Sequence, residues 1–168
     1  MSTPTDPTAA SSAAGILRFA DAAERVALGA NEVVFTLRGD ETGGRLSLTE
    51  FAMAPPPAPG PPPHAHEDAD ETVYVLDGAL EMSIGERVMT GAAGAVMFVP
   101  RGVFHGLANL GPGSARMLVI LTPPGYEGFW REIAALQSRP GGPPDPETVR
   151  SLQRRYHLTT DGAARRFD

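Results

Sequence analysis

The sequence predicts an all-β body followed by two short helices, and three observations lead there. Short runs rich in Val, Leu, Ile and Phe recur at close spacing between turns bearing Gly or Pro, of which the chain has 19 and 17. That is the pattern of a sandwich or small barrel. A stiff proline-rich connector interrupts the runs once, and after Pro123-Pro124 the apolar spacing changes from strand-like to helical.

The first run, residues 33–37, ends in the turn Gly39-Asp40-Glu41-Thr42-Gly43-Gly44, and residues 45–53 alternate as a second strand. The connector Pro55-Pro56-Pro57-Ala58-Pro59-Gly60-Pro61-Pro62-Pro63 lacks the N–H groups that a sheet interior needs. Residues 72–76, 79–84, 95–99, 104–110 and 116–121 complete the β body. Phe129, Ile133 and Leu136 then recur at helical spacing, with Trp130 beside them. After the break Pro140-Gly141-Gly142-Pro143-Pro144, Asp145 is placed as an N-cap and Pro146 in the first turn. Val149, Leu152 and Tyr156 form the apolar stripe of this second helix. The chain thus divides into a disordered leader over 1–14, a β-barrel domain over 15–124 and a helical extension over 125–168.

Its 168 residues suit one domain, and 42% hydrophobic against 20% charged residues is a globular composition. A formal net charge of -6 argues against a nucleic-acid partner, which would need a basic stripe. There is no cysteine, which excludes disulfides, thiolate nucleophiles and iron–sulfur clusters. There is no lysine either, since all 14 cationic residues are arginine, and this removes Schiff-base chemistry and a P-loop lysine. With no basic start and no long apolar run, neither a signal peptide nor a membrane span is read, and the expected location is cytoplasmic.

Three of the four histidines carry the chemistry. His64 and His66 are two apart, so on one strand their imidazoles share a face. Glu71 follows, and strand alternation through Val73 and Val75 can turn it toward the same interior. His105 lies further along. The stretch from His64 to Gly78 reads His-x-His, four residues, Glu, six residues, Gly. From Gly94 to Asn109 the chain reads Gly, five residues, Pro-x-Gly, two residues, His, three residues, Asn. These resemble the first and second motifs of the cupin superfamily, with 15 residues between Gly78 and Gly94. One position departs: where the first motif usually opens with Gly, this chain has Ala58.

The resemblance implies a double-stranded β-helix, or jelly-roll barrel, with His64, His66, Glu71 and His105 as ligands of one divalent transition metal per chain. Three neutral imidazoles and one carboxylate suit Fe, Mn, Ni, Cu or Zn. Gly78 and Gly102 are read as supplying unusual backbone conformations, Pro100 as stiffening the turn before His105, and Asn109 as satisfying backbone groups. Glu67, Asp68 and Asp70 are read as solvated, one of them a possible partner to a ligand histidine, and His157 as a surface histidine.

Alternation assigns Val73, Val75, Met97, Val99 and Leu107 to the ligand face, either lining a substrate pocket or filling the barrel. Tyr126, Phe129 and Trp130 either cap the barrel mouth or glue the helix to the sheet. Together with the helical extension, the arrangement is similar to small bacterial cupins of the quercetin-dioxygenase-like group. That similarity implies a metal-dependent dioxygenase of a hydroxylated aromatic or flavonol-like small molecule, with dioxygen as co-substrate. Glu71 is then a fixed ligand, or a catalytic base whose pKa an apolar wall raises. The alternatives are a non-oxidative cyclase, isomerase or dehydratase of a secondary-metabolite pathway, and a non-catalytic ligand-binding cupin. A homodimer is expected, with residues 16–37 crossing to the partner.

Overall fold

A computed structural model describes residues 15–56 and 60–160; the leader read over 1–14, Ala58 and residues 161–168 lie outside them. The chain opens with a hairpin of β1 (Glu24–Leu28) and β2 (Asn31–Leu37), continued by β3 (Ser47–Met53). After the proline-rich connector come β4 (Ala65–His66), β5 (Asp70–Asp77) and β6 (Ala79–Ile84). Next are β7 (Arg87–Ala92), β8 (Val96–Val99), β9 (His105–Asn109) and β10 (Ala115–Thr122). Helices α1 (Glu127–Gln137) and α2 (Pro146–Arg155) follow, and a last strand, β11 (Leu158–Thr159), returns to the barrel.

The strands form a six-stranded sheet in the order β1-β2-β3-β10-β5-β8 and a three-stranded sheet β7-β6-β9, with β4 and β11 paired apart. This is the all-β jelly roll with two C-terminal helices that the sequence predicts. Strand β3 explains how the barrel fills: Ser47, Thr49, Phe51 and Met53 are buried while the residues between them are half-buried. Phe51, Val75 and Met117 meet across β3, β10 and β5, and pack in one core with Leu80, Met82 and Leu107 of the smaller sheet. Phe35 is wholly buried in that core, where truncation to alanine costs about 3–5 kcal/mol.

Four strands lie outside the runs read from the sequence. In β7 every residue but Gly91 is exposed, so no apolar alternation marks it. β4 and β11 are two residues long, and β1 is mostly exposed. Gly78, between β5 and β6, has φ +76°, and a Cβ there would stand 3.0 Å from Ala115. Conformation and space both demand glycine at this turn.

Asn109 does what the second motif implies. Its amide donates to the carbonyls of Met53, Ala54 and Gly113 at 3.3, 3.1 and 2.8 Å, and its oxygen accepts from Gly111 N–H at 3.0 Å. Asn109→Ala strands buried carbonyls, so it should cost about 1–3 kcal/mol, read as a lower urea midpoint at unchanged slope. The turn between β2 and β3 is held by Glu41, whose carboxylate takes hydrogen bonds from Arg18 (3.0 Å) and from the Arg38 N–H (2.9 Å). The Arg18 hydrogen bond, reinforced by Arg38 and opposed by burial, pulls its pKa from 4.5 to about 2. Because the folded value is the lower one, this contribution is complete above pH 4.5 and is lost as pH falls through about 2. Acid unfolding of Glu41→Gln should therefore lack that part of the slope.

Candidate metal centre

The centre is assembled by backbone pairing. His64 and His105 face each other in an antiparallel bridge and exchange both hydrogen bonds, His64 N–H to the His105 carbonyl at 2.9 Å and the reverse at 2.8 Å. His66 lies two residues on, in β4, where its carbonyl accepts from Gly102 N–H at 2.7 Å. Glu71 enters from β5, flanked by Val99 of β8 and Leu121 of β10. One ligand atom from each of His64, His66, Glu71 and His105 lies within 4.8 Å of all the others, and all four residues are buried. The structure therefore brings together the whole ligand set implied by the resemblance.

The side chains are oriented from outside. His64 Nδ1 lies 2.8 Å from the Pro62 carbonyl and His105 Nδ1 lies 3.0 Å from the Val103 carbonyl. A carbonyl only accepts, so each Nδ1 donates and each Nε2 keeps its lone pair, the form a metal needs. His66 Nε2 is 2.8 Å from Glu71 Oε2, and His105 Nε2 is 3.4 Å from Glu71 Oε1. His66 Nδ1 and His105 Nε2 are buried polar atoms without a hydrogen-bond partner, a costly state that ligation relieves. With three imidazoles and one carboxylate in reach, the residues fit a divalent transition metal.

Burial, seconded by the neighbouring His105 and His66, drives the His64 pKa down to about 3, so this imidazole is neutral at pH 7. Burial alone would raise the Glu71 carboxyl. The adjacent His105 and His66 imidazoles overcome it and hold the group well below the usual carboxylate range. Here the structure departs from the raised pKa expected of a catalytic Glu71: its nearest neighbours are imidazoles, not an apolar wall.

Sequence reasoning missed the support from the C-terminal segment. Strand β11 pairs with β4, Leu158 opposite His66 and Thr159 opposite Ala65. The Tyr126 ring packs edge-on against His66 with centroids 4.2 Å apart. Its hydroxyl hydrogen-bonds to Asp68 Oδ1 and to the His157 carbonyl, each at 3.2 Å. Asp68 thus supports the candidate ligand His66 through Tyr126 rather than directly. Asp70 instead binds Arg101, at 3.1 Å from Nε and 3.0 Å from Nη2. The His157 side chain is exposed, as read, but its carbonyl also accepts from Glu67 N–H at 2.8 Å. Only the unusual density of aromatic residues after Gly125 hinted at this.

A cavity of about 610 Å³ lies between the barrel and the C-terminal segment. Phe51 and His64 border it from the barrel, and Phe129, Trp130, Ile133 and Val149 from α1 and α2. Trp130 sits edge-on to both Phe51 (5.6 Å) and Phe129 (5.2 Å), so it glues helix to sheet and also walls the cavity. Val73, Val75, Met97, Val99 and Leu107 are all buried in the barrel core, and none of them is among the residues bordering this cavity. Of the four ligand candidates, His64 alone borders it.

Removing a ligand from a barrel that packs without it should spare the fold. His105→Ala is expected to keep its circular dichroism and lose one-to-one Zn²⁺ binding in calorimetric titration. Tyr126→Ala, which loosens His66 without removing a ligand, should weaken Zn²⁺ about tenfold.

Residues 51–121 match the family described as Cupin domain. No curated protein matches the chain. Among solved structures it is similar to the polyketide cyclase RemF from Streptomyces resistomycificus, with 22% identity, TM-score 0.57, and 65% of this chain and 80% of that one covered. An RmlC-like cupin from Shewanella frigidimarina has 20% identity and TM-score 0.55, covering 69% of this chain and 96% of that one. A predicted oxalate decarboxylase from Thermotoga maritima has 20% identity and TM-score 0.56, covering 64% and 99%. At such identities the likeness is one of fold. The matched stretch lies on the jelly roll and spans all four ligand candidates, so residues 51–121 are similar to the Cupin domain family in sequence and the whole barrel to cupin structures in fold.

Proposed function

We propose that this cupin is a metal-dependent enzyme, a dioxygenase acting on a hydroxylated aromatic or flavonol-like small molecule, as in the quercetin-dioxygenase-like group. The observation that carries this reading is the joining of a largely apolar, aromatic-walled cavity to His64. A planar apolar body would rest against the surface formed by Phe51, Phe129 and Trp130, with its polar edge toward His64. His64, His66, His105 and Glu71 would hold the ion. When bound, such an ion supplies Lewis acidity toward a substrate oxygen and, if redox-active, electrons for dioxygen chemistry.

This chain's own residues do the rest. The α1 wall excludes water and fixes the ring plane. Glu71 is buried, bonded to His66 and absent from the cavity border, which supports a ligand role over that of a base. The same cavity suits a folded polyketide, and one similar structure is a polyketide cyclase, so non-oxidative cyclisation is the second reading. Ligand binding without turnover is the third. We further propose a homodimer, supported by the exposure of Ile16, Leu17 and Phe19 ahead of β1, and sedimentation at micromolar concentration should give twice the chain mass.

Oxygen consumption separates the readings. Protein reconstituted with Fe²⁺, Mn²⁺, Ni²⁺ or Cu²⁺ should consume dioxygen with quercetin as substrate, and His105→Ala should not. Turnover of a hydroxylated aromatic under argon would replace the dioxygenase with the non-oxidative reading. Binding with no turnover in either gas would leave the non-catalytic one.

A further inference from the structure

The cavity that reaches His64 has a second polar end. Among the described residues bordering it there is no carboxylate. Arg139, just past the end of α1, is the one arginine among the described residues that border it, and it also lines a neighbouring surface groove. Arg139 is exposed, and its guanidinium makes no ion pair with any described residue. The acids of the neighbouring surface groove, Glu132, Asp145 and Glu147, are engaged elsewhere. Glu132 takes Arg155 at 2.5 Å and the Tyr156 hydroxyl at 2.7 Å. Asp145 caps α2 through Thr148 N–H at 2.8 Å, and Glu147 takes Arg150 and Arg154 at 2.9 and 2.7 Å. Among the described residues, no carboxylate is therefore paired with Arg139 in competition with a molecule in the cavity.

The position is built rather than incidental. Arg139 starts the loop joining α1 to α2, and Gly142, Pro143 and Pro144 of that loop also border the cavity. Gly141 and Gly142 hold φ values of +117° and +102°, a region other residues rarely adopt, and the two prolines stiffen the approach to α2. The cavity thus presents an imidazole at one place, apolar rings along its walls and a guanidinium fork at its rim.

We infer that Arg139 determines specificity by pairing with an acidic group on the ligand, so that among hydroxylated aromatics the cavity favours one that carries an acid over a neutral one of the same shape. This deepens the proposed function and rests on the cavity being the ligand site. A guanidinium beside apolar walls matches a carboxylate or sulfonate through two parallel hydrogen bonds, stronger than neutral ones. A neutral ring of the same shape gains only burial.

Two fluorescent probes with one ring system test it. 8-Anilinonaphthalene-1-sulfonate carries the acid, and N-phenyl-1-naphthylamine lacks it. Both are titrated into the full chain, into Arg139→Gln and into Val149→Trp, which narrows the cavity. Arg139→Gln should weaken the sulfonate about tenfold, the scale of one lost charge-assisted contact, and leave the neutral probe within about twofold. Because Arg139 is exposed, the melting temperature should not move. Equal effects on the two probes, or none on either, would overturn the assignment of Arg139 while leaving the cavity as ligand site. Val149→Trp should weaken both. If both bind that variant as they bind the parent, the cavity is not the ligand site, and the underlying reading fails instead.

Discussion

Two backbone hydrogen bonds between His64 and His105 fix the geometry on which the site depends. Without them His64 would sit at the end of a proline-rich connector with no sheet to hold it. The bridge brings it directly against a residue of the smaller sheet, while Glu71 arrives from the larger one. The ligand set therefore spans the seam between the two sheets, and its compactness reports whether the barrel has closed. The hydrogen bonds from Nδ1 of His64 and His105 to carbonyls of their own loops then choose the tautomer. The metal-binding form of each ring is thus set before any ion arrives.

The barrel and the C-terminal segment divide the work. Inside the barrel, Val73, Val75, Met97, Val99 and Leu107 fill space and give the ligands a rigid support. The surface a ligand would meet comes largely from elsewhere: α1, α2 and the loop between them supply the outer wall of the cavity. Such a division lets the wall vary without disturbing the ligands, since few core side chains take part in both.

The ligand set was legible because each motif residue answers a local physical demand. Gly78 is forced by its backbone and by Ala115, Asn109 by the carbonyls it serves, and the histidines by pairing and chemistry. The second helix was legible through its Asp145 cap. Other features left no local trace. Strands β4 and β11 exist because each pairs with the other, and two residues cannot show a period. The face of a strand that fills a barrel carries the same apolar alternation as one that lines a pocket, so the sequence could not separate these roles for Val73 or Leu107. Tyr126 escaped because its partners, Asp68 and His157, lie far away in sequence.

The pairing of β11 with β4 also sets an order of events during synthesis. Among the described residues, the barrel sheets are complete once β10 has emerged, because β11 joins neither of them. His66, however, gains its strand partner only when Leu158 has left the ribosome, and His157 must arrive before Glu67 N–H and the Tyr126 hydroxyl find its carbonyl. Since chains fold from the N-terminus as they are made, a nascent molecule passes through a stage with a closed barrel and an unanchored ligand. The surroundings of His66 are therefore completed by the last described segment to appear.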